Sequence, residues 1–382
     1  MELENAIDEE LVAELEKSAP YASNKLERLR VTPDRCGAEV QCADGSTVEE
    51  VRPKVLALVR AMSERFRSLG PAEELAHRAR RDDGPIDVGA FDELARRGWA
   101  RAIGRGQIAL AGGALALKQR LDADVRDLAR ARFGALEEDH PTLLDAEVLA
   151  RCGYFGSFPQ SVCLVSHLRE DFDAIESFRR ANVDADSLRV PEASALATDA
   201  VLRPAVCIPI YRAMQGASLR DGGRVVTSSG RCYRYESRNM EGMRRLWDFS
   251  MREIVFLGDV EAKRAAILGS LTALAETWDL SFRLVSASDP FFATVRATKA
   301  LWQRTRAAKY ELVVDAGAPL AAGSVNFAGA LFGEAFGITH GGAPATTACV
   351  GFGLERLVLA LFAQHGFDRA RWPREIGEAA LG

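Results

Sequence analysis

Two short groups of residues, far apart in the chain, combine side chains suited to binding a nucleotide. The first is Arg234-Tyr-Glu236 and the second is Gly351-Phe-Gly-Leu-Glu-Arg356. Guanidinium groups make paired contacts with phosphate and carboxylate oxygens, and they also stack on flat purine rings. We therefore expect the two arginines to bind a nucleotide, provided that the fold brings them together.

The sequence around the first group predicts a long antiparallel hairpin. Residues 230–236 alternate as a strand does, residues 241–248 are polar and contain glycine, and residues 249–257 have the pattern of a return strand. The basic loop between the strands is placed to close over phosphate groups. The alternative is a surface hairpin whose charges are only solvated.

The second group lies where an apolar strand with two glycines continues into an apolar helix, over residues 349–362. Glycine lets a backbone approach a ligand closely, and Arg356 falls in the first turn of the predicted helix. Stacking on adenine suits an arginine at this place. The alternative is a buried helix on a sheet, with Glu355 and Arg356 at its solvated end.

The composition excludes several classes of protein. Seven cysteines are dispersed over 382 residues without a close CxxC pair, so neither a zinc finger nor a disulfide framework is predicted, and a cytoplasmic location is expected. Most of these cysteines are expected to be small buried residues. A formal net charge of −5 argues against a large nucleic-acid surface, and no apolar run is long enough for a membrane span.

Two regions are predicted along the chain. Residues 1–90 are expected to form an accessory N-terminal extension, with a hairpin and a helix over 48–69, and residues 91–382 to form the catalytic domain. The charged run 78–83, followed by Gly84-Pro85, is the predicted linker. The sequence leaves open whether the extension recognises a partner or only packs on the core.

Apolar periodicity predicts two helices in the first half of the second region. The helix over 115–133 has an apolar face formed by Leu117, Leu121, Val125, Leu128 and Phe133. Its charged face, expected to be solvated, is formed by Arg120, Asp122, Asp124, Arg126 and Asp127. The helix within 169–188 carries Phe172, Ile175 and Phe178 and is expected to pack on the core.

Six further segments follow one another in order between residues 92 and 370. They are GYFGSFP (153–159), DPFF (289–292), KYEL (309–312), SVNF (324–327), FGEAFGI (332–338) and TTACVGFGLER (346–356). With the Arg234 group, they resemble class II aminoacyl-tRNA synthetases of the seryl type. More closely, they resemble the amino acid:[carrier protein] ligases, homologues of the zinc-dependent, methanogen-type seryl enzyme that lack its tRNA-binding domain.

The resemblance implies an α+β fold, in which an antiparallel β-sheet flanked by helices carries a small N-terminal α/β extension. The helix over 115–133 and the extended segment near Pro141 are similar to motif 1, which implies a homodimer. No long heptad pair is present in residues 1–90, so the tRNA-binding arm of bacterial seryl enzymes is not expected.

The resemblance also implies a metal site and a nucleotide site. Cys207, Glu253 and Cys349 match three Zn²⁺ ligands that leave one position open for the substrate amine. The alternative is two core cysteines and an unrelated glutamate.

For the nucleotide, the resemblance implies that Arg234 contacts the α-phosphate and the amino-acid carboxylate, while Glu236 lies near the adenine amino group. Phe249 and Arg356 would enclose the adenine ring. Three further residues are implied as contacts to ATP with Mg²⁺ or to the amino acid, namely Glu311, Ser324 and Asn326. Residues 319–324 lack the usual carboxylate of the seryl enzymes, so the Mg²⁺ ligand stays open.

The implied activity is ATP-dependent activation of a small amino acid and its transfer to the phosphopantetheine thiol of a carrier protein, with neither tRNA nor a membrane as partner. Five small residues favour glycine or alanine, or else only tight packing: Gly323, Ala328, Gly329, Ala345 and Ala348. Two alternatives are a tRNA-aminoacylating, seryl-like enzyme and a non-catalytic paralogue that binds an amino acid or a nucleotide.

Overall fold

The computed structural model of the protein describes residues 1–3, 5–69, 72–79, 86–192, 194–236, 240–287 and 308–382. The segment 289–292 and residues 80–85 of the predicted linker lie outside these ranges. None of the helices in the described residues is long and apolar enough to cross a membrane.

The helices, in chain order, are α1 (Glu9–Ser18), α2 (Val48–Leu69), α3 (Ala90–Arg96), α4 (Gly112–Phe133), α5 (Ala146–Arg151), α6 (Tyr154–Ser157), α7 (Phe172–Asn182), α8 (Cys207–Ala213), α9 (Arg264–Thr277), α10 (Leu331–Phe336), α11 (Leu354–His365) and α12 (Arg374–Leu381). The strands, in chain order, are β1 (Leu26–Val31), β2 (Ala38–Cys42), β3 (Glu74–Arg78), β4 (Ala100–Gly104), β5 (Gln107–Leu110), β6 (Leu136–Glu137), β7 (Leu143–Asp145), β8 (Cys163–Leu168), β9 (Ala195–Leu202), β10 (Ser218–Leu219), β11 (Arg224–Tyr233), β12 (Asp248–Gly258), β13 (Phe282–Ser286), β14 (Lys309–Asp315), β15 (Pro319–Gly329), β16 (Thr339–His340), β17 (Ala343–Pro344) and β18 (Thr346–Gly353).

The N-terminal module, residues 1–69, has its own small core. β1 and β2 form an antiparallel hairpin. One side of α2 packs in the same core as this hairpin, through Val51, Val55, Val59 and Met62. This spacing is the period of an amphipathic helix. The hairpin and the helix therefore lie where the sequence predicts them.

The largest sheet among the described residues has eight strands in the order β3-β13-β14-β15-β18-β12-β11-β6. Neighbouring strands are antiparallel, apart from β6, which lies parallel to β11. The predicted antiparallel sheet is thus confirmed, and the predicted hairpin is its β11–β12 pair. The first strand ends at Tyr233, so residues 234–236, which were predicted within it, follow it instead. The edge strand β3 lies within the first predicted region, 1–90, but pairs with β13.

Helices α4, α9 and α11 cover one face of this sheet. Leu117, Leu121 and Val125 of α4 are fully buried in the main core, as the predicted apolar face requires. All residues of α11 except Arg356 are buried, so it is a core helix of the sheet. The opposite face of the sheet is therefore the one that is open to a ligand.

The expectation that the whole charged face of α4 is solvated is wrong. Asp122 accepts two hydrogen bonds from Arg252 of β12, at 2.9 and 2.8 Å, and the Arg252 side chain is buried. Asp124 accepts a hydrogen bond from the indole of Trp278 at 2.9 Å. These carboxylates therefore lie between α4 and the core. The sequence did not show this, because apolar periodicity alone does not tell which polar residues of a helix border a neighbouring strand.

We expect Asp122→Asn to lower the free energy of unfolding by about 1–3 kcal/mol at pH 7, because it removes a charge-assisted pair from a buried arginine. Burial opposes ionisation of Asp122, but the hydrogen bonds from Arg252 outweigh it, so its pKa lies below the usual value. A lowered native pKa stabilises the fold above the unfolded-state pKa of about 3.9. The difference from wild type should therefore shrink as the pH falls below that value, as measured by urea unfolding.

Asp127→Asn on the same helix is the matched control, because Asp127 is exposed and pairs only with its neighbour Arg126 among the described residues. It should change stability by no more than about 0.5 kcal/mol. Equal effects of the two substitutions would show that the buried pair adds nothing.

The chain between α4 and α8 forms a three-stranded sheet in the order β7-β9-β8, with α7 between β8 and β9. The expectation that α7 packs on the core is wrong, since none of its residues is buried and Phe172 is 82 % exposed. Its apolar periodicity gave the helix correctly, but periodicity does not say whether a partner surface exists within the same chain.

Candidate active site

Two neighbouring strands place two of the predicted metal ligands on the open face of the sheet. Glu253 of β12 pairs with Gly351 of β18, and Cys349 of β18 pairs with Val255 of β12. Side chains alternate along a strand, so Glu253 and Cys349 point to the same face. A Cβ on Gly351 would lie only 3.4 Å from the Glu253 side chain, so glycine leaves the carboxylate its space.

The third predicted ligand arrives from a helix. Cys207 begins α8, and its backbone N–H donates to one oxygen of Glu253 at 3.0 Å. The N–H of Val206 donates to the other oxygen at 3.2 Å. These two bonds hold the Glu253 carboxylate against the start of α8. They connect the sheet to a helix that is distant from β12 in the sequence.

The ligand atoms of Cys207, Glu253 and Cys349 all lie within 4.8 Å of one another. Contact with Cys349 and burial raise the pKa of Cys207, and burial raises that of Glu253. Asn326 directs its side-chain N–H₂ at the Cys349 sulfur from 3.8 Å. Two thiols and a carboxylate this close together are a fitting donor set for a divalent cation, and the softness of the two sulfur atoms favours Zn²⁺.

The two motif arginines lie beside this cluster, in positions fixed by backbone carbonyls. Arg234 donates from Nε to the carbonyl of Pro204 at 2.7 Å. Arg356 donates to the carbonyls of Arg244 and Ala321 at 2.8 and 2.9 Å.

Neither motif arginine has a carboxylate within ion-pair distance among the described residues. Burial lowers the pKa of Arg356 from its usual value. A buried cation without a counter-ion is costly, so both positions suit an anionic ligand.

The remaining predicted nucleotide residues have partners of their own. Glu236 forms an ion pair with Arg245 at 3.2 Å, and Glu311 forms one with Lys309 at 2.9 Å. The Phe249 ring lies 5.4 Å from the Arg234 guanidinium. In this arrangement Arg234 lies over one face of Phe249, so an adenine ring stacked on that face would have to displace it.

One cavity of about 1970 Å³ joins these residues. Its wall includes Cys207, Arg234, Glu236, Glu253, Glu311, Ser324, Asn326, Cys349 and Arg356. Phe249 is not among the described lining residues. Ser324 and Asn326 lie two residues apart on β15 and are joined by a 3.3 Å hydrogen bond.

Several lining residues were not singled out from the sequence. They include Tyr21, Tyr154, Gln160, Arg245 and Lys309. Arg245 belongs to the predicted basic loop and Lys309 begins the KYEL segment, so both carried a signal. Tyr21 carried none, because only the docking of the N-terminal module brings it to the cavity.

Of the five small residues predicted near a substrate, Ala328 and Gly329 line the cavity. Ala345 and Ala348 are instead buried among apolar side chains, and a Cβ on Gly323 would meet Leu271 at 3.0 Å. For these three positions the structure gives the packing role.

Comparison with known proteins supports the family resemblance that the sequence motifs indicate. Amino acid–[acyl-carrier-protein] ligase 1 of Bradyrhizobium diazoefficiens is 34% identical over 248 residues, which cover 62% of this chain and 73% of that protein. Type-2 serine–tRNA ligase of Methanopyrus kandleri is 26% identical over 316 residues, which cover 77% of this chain and 60% of that protein. No family model matches the chain.

Among solved structures, the complex of M. kandleri seryl-tRNA synthetase with A. aeolicus tRNASec matches with a TM-score of 0.69 and 22% identity. The match covers 99% of this chain and 76% of the other. It shows the fold alone. From the identity with the Bradyrhizobium protein and from this fold, the chain belongs to the amino acid–[acyl-carrier-protein] ligase family, with the architecture of class II aminoacyl-tRNA synthetases.

Proposed function

We propose that the protein is an AMP-forming ligase, which activates a small amino acid with ATP and transfers it to the phosphopantetheine thiol of a carrier protein. The observation that carries this proposal is the shared cavity. It contains two partly buried arginines without acidic partners among the described residues and, beside them, the Cys207, Glu253 and Cys349 donor set.

In the first step, a carboxylate oxygen of the amino acid attacks the α-phosphorus of ATP, and the bond to pyrophosphate breaks. Negative charge on the phosphoryl oxygens is stabilised by Arg234, while Arg356 binds the adenine ring. Because backbone carbonyls already hold both guanidinium groups, little reorganisation is needed when ATP binds. Glu311 is the candidate carboxylate for the Mg²⁺ that accompanies ATP.

In the second step, the carrier thiol attacks the carbonyl carbon of the adenylate, AMP leaves, and a thioester forms. Neither step needs a nucleophile from the protein. A Zn²⁺ ion held by Cys207, Glu253 and Cys349 would supply a Lewis-acidic position for the amino group of the substrate. Asn326 would support this site by its contact with the Cys349 sulfur.

The charge of the part of the cavity wall that the N-terminal module forms favours a carrier thiol over tRNA as the acceptor. Among the described residues, the N-terminal module contributes Glu9, Glu14, Glu16 and Glu27 to this wall, against Arg28 and Arg30. RNA binding normally needs a dense basic face, whereas the pantetheine part of a phosphopantetheine arm, which ends in the thiol, is an uncharged chain.

We also propose a homodimer in solution, formed through the segment that follows α4. Leu136 and Leu143 on this segment are 53 % and 51 % exposed, although both are large and apolar. A second copy would cover them. A molar mass from light scattering that equals one chain would contradict this part of the proposal.

The function is tested by exchange of labelled pyrophosphate into ATP, measured separately with each of the common amino acids. We expect exchange that depends on glycine or alanine, with larger amino acids excluded from a pocket bordered by Ala328 and Gly329. A pocket separates substrates that differ by one methyl group by only about 1–3 kcal/mol, so both small amino acids should be compared by kcat/KM.

No exchange with any amino acid would contradict the proposed activation and favour a non-catalytic paralogue. Exchange that is fastest with a large amino acid would leave the activation in place and contradict the small pocket.

A further inference from the structure

The N-terminal module reaches the nucleotide-binding triplet through a hydrogen bond. Tyr21, in the short helical turn after α1, donates its hydroxyl hydrogen to the carbonyl oxygen of Tyr235 at 3.0 Å. Tyr235 is the central residue of Arg234-Tyr235-Glu236. The bond therefore joins the module to the part of the catalytic domain that carries the candidate phosphate and adenine contacts.

Tyr235 is held on its other side as well. Its backbone N–H donates to the carbonyl of Ser161 at 3.2 Å, and its ring packs edge-on against Trp247 with 5.1 Å between ring centroids. With the Tyr21 bond, both peptide groups of Tyr235 are restrained. The side chains that flank it, Arg234 and Glu236, take their positions from these peptide groups.

The surroundings of Tyr21 keep its hydroxyl a donor. The Glu236–Arg245 ion pair lies next to it, and burial together with the Glu236 charge raises the pKa of Tyr21 well above the usual value. Tyr21 also lines the same cavity as Arg356. A neutral phenol at this place can restrain Tyr235 without competing for the phosphate groups of a ligand.

We infer that Tyr21 is a positioning residue of the nucleotide site, which makes the N-terminal module part of the adenylation site. The inference rests on the proposed function, because it requires ATP to bind in this cavity. Misplacement of catalytic groups by about 1 Å is enough to slow an enzyme, so one restraint on the triplet has a measurable effect.

The test is the Tyr21→Phe variant of the full chain, which loses only the hydroxyl group. We expect the KM for ATP in pyrophosphate exchange to rise about two- to tenfold, the effect of one hydrogen bond, while the KM for the amino acid stays unchanged. Binding of a non-hydrolysable ATP analogue, measured by calorimetry without amino acid, should weaken by the same factor. The urea midpoint of unfolding verifies that the variant is folded.

Lys25→Ala is the matched control, because Lys25 belongs to the same module but forms an exposed ion pair with Glu50. It should leave both KM values unchanged. The inference is wrong if Tyr21→Phe leaves the ATP affinity unchanged, or if both KM values rise equally. By contrast, a wild-type protein that neither exchanges pyrophosphate nor binds the analogue would contradict the proposed function itself.

Discussion

Replacing Arg234 by alanine is expected to slow amino-acid-dependent pyrophosphate exchange by about 100- to 1000-fold, the cost of removing one fixed group that stabilises transition-state charge. Arg234 lies in the cavity wall with its Nε held by the Pro204 carbonyl. Its loss removes the cation that is proposed to stabilise charge on the α-phosphate. The initial exchange rate at saturating ATP and amino acid measures the effect.

Arg231→Ala on the same hairpin is the matched control. Its side chain is 44% exposed and pairs with Asp248 at 3.3 Å, and Arg231 is not among the described lining residues of the cavity. The exchange rate of this variant should change by no more than about twofold. If Arg234→Ala keeps a rate similar to that of Arg231→Ala, Arg234 does not bind the reacting phosphate.

The second large effect concerns the metal. Purified wild-type protein is expected to contain about one zinc per chain, and the Cys207→Ala, Cys349→Ala double variant almost none, because a single carboxylate cannot hold the ion. Exchange activity should fall with the metal content. Elemental analysis of dialysed protein, together with the exchange rate, measures both quantities.

Cys152→Ala serves as the control for metal content. Cys152 lines the same cavity, and burial raises the pKa of its thiol to about 12, but it does not belong to the cluster of three ligands. Its zinc content should equal that of wild type. Active wild-type protein without zinc, or a double variant that keeps it, would contradict the metal site.

Local pattern was enough to predict the elements that carry the site. The alternation of residues 230–236 and 249–257 predicted the β11–β12 hairpin, and the two glycines before an apolar helix predicted the passage from β18 to α11. The same alternation placed Glu253 in the return strand, but only the resemblance to a known family singled it out as a ligand.

The assembly of the metal ligands could not be predicted from spacing. Cys207 begins a helix, Glu253 lies in β12 and Cys349 in β18, and only the sheet register and the docking of α8 bring them together. The resemblance to a known family supplied this grouping, and the geometry now supports it. Tyr21 had neither a local pattern nor a family motif.

The two wrong predictions, for α7 and for α4, have a related cause. The apolar stripe of α7 and the charged face of α4 were each interpreted from one helix alone. The burial of a side chain depends on what packs against its helix. Among the described residues, no residue of the helix that carries Phe172 is buried, whereas Asp122 of α4 is covered by Arg252.

The central claim is that the activated amino acid passes to a carrier thiol. It is tested by incubating the protein, ATP and a labelled amino acid with holo carrier proteins, with the same carriers lacking phosphopantetheine, and with total tRNA. We expect label on a holo carrier as a thioester that hydroxylamine cleaves, and none on the apo carriers or on tRNA. Label on tRNA but on no holo carrier would contradict it.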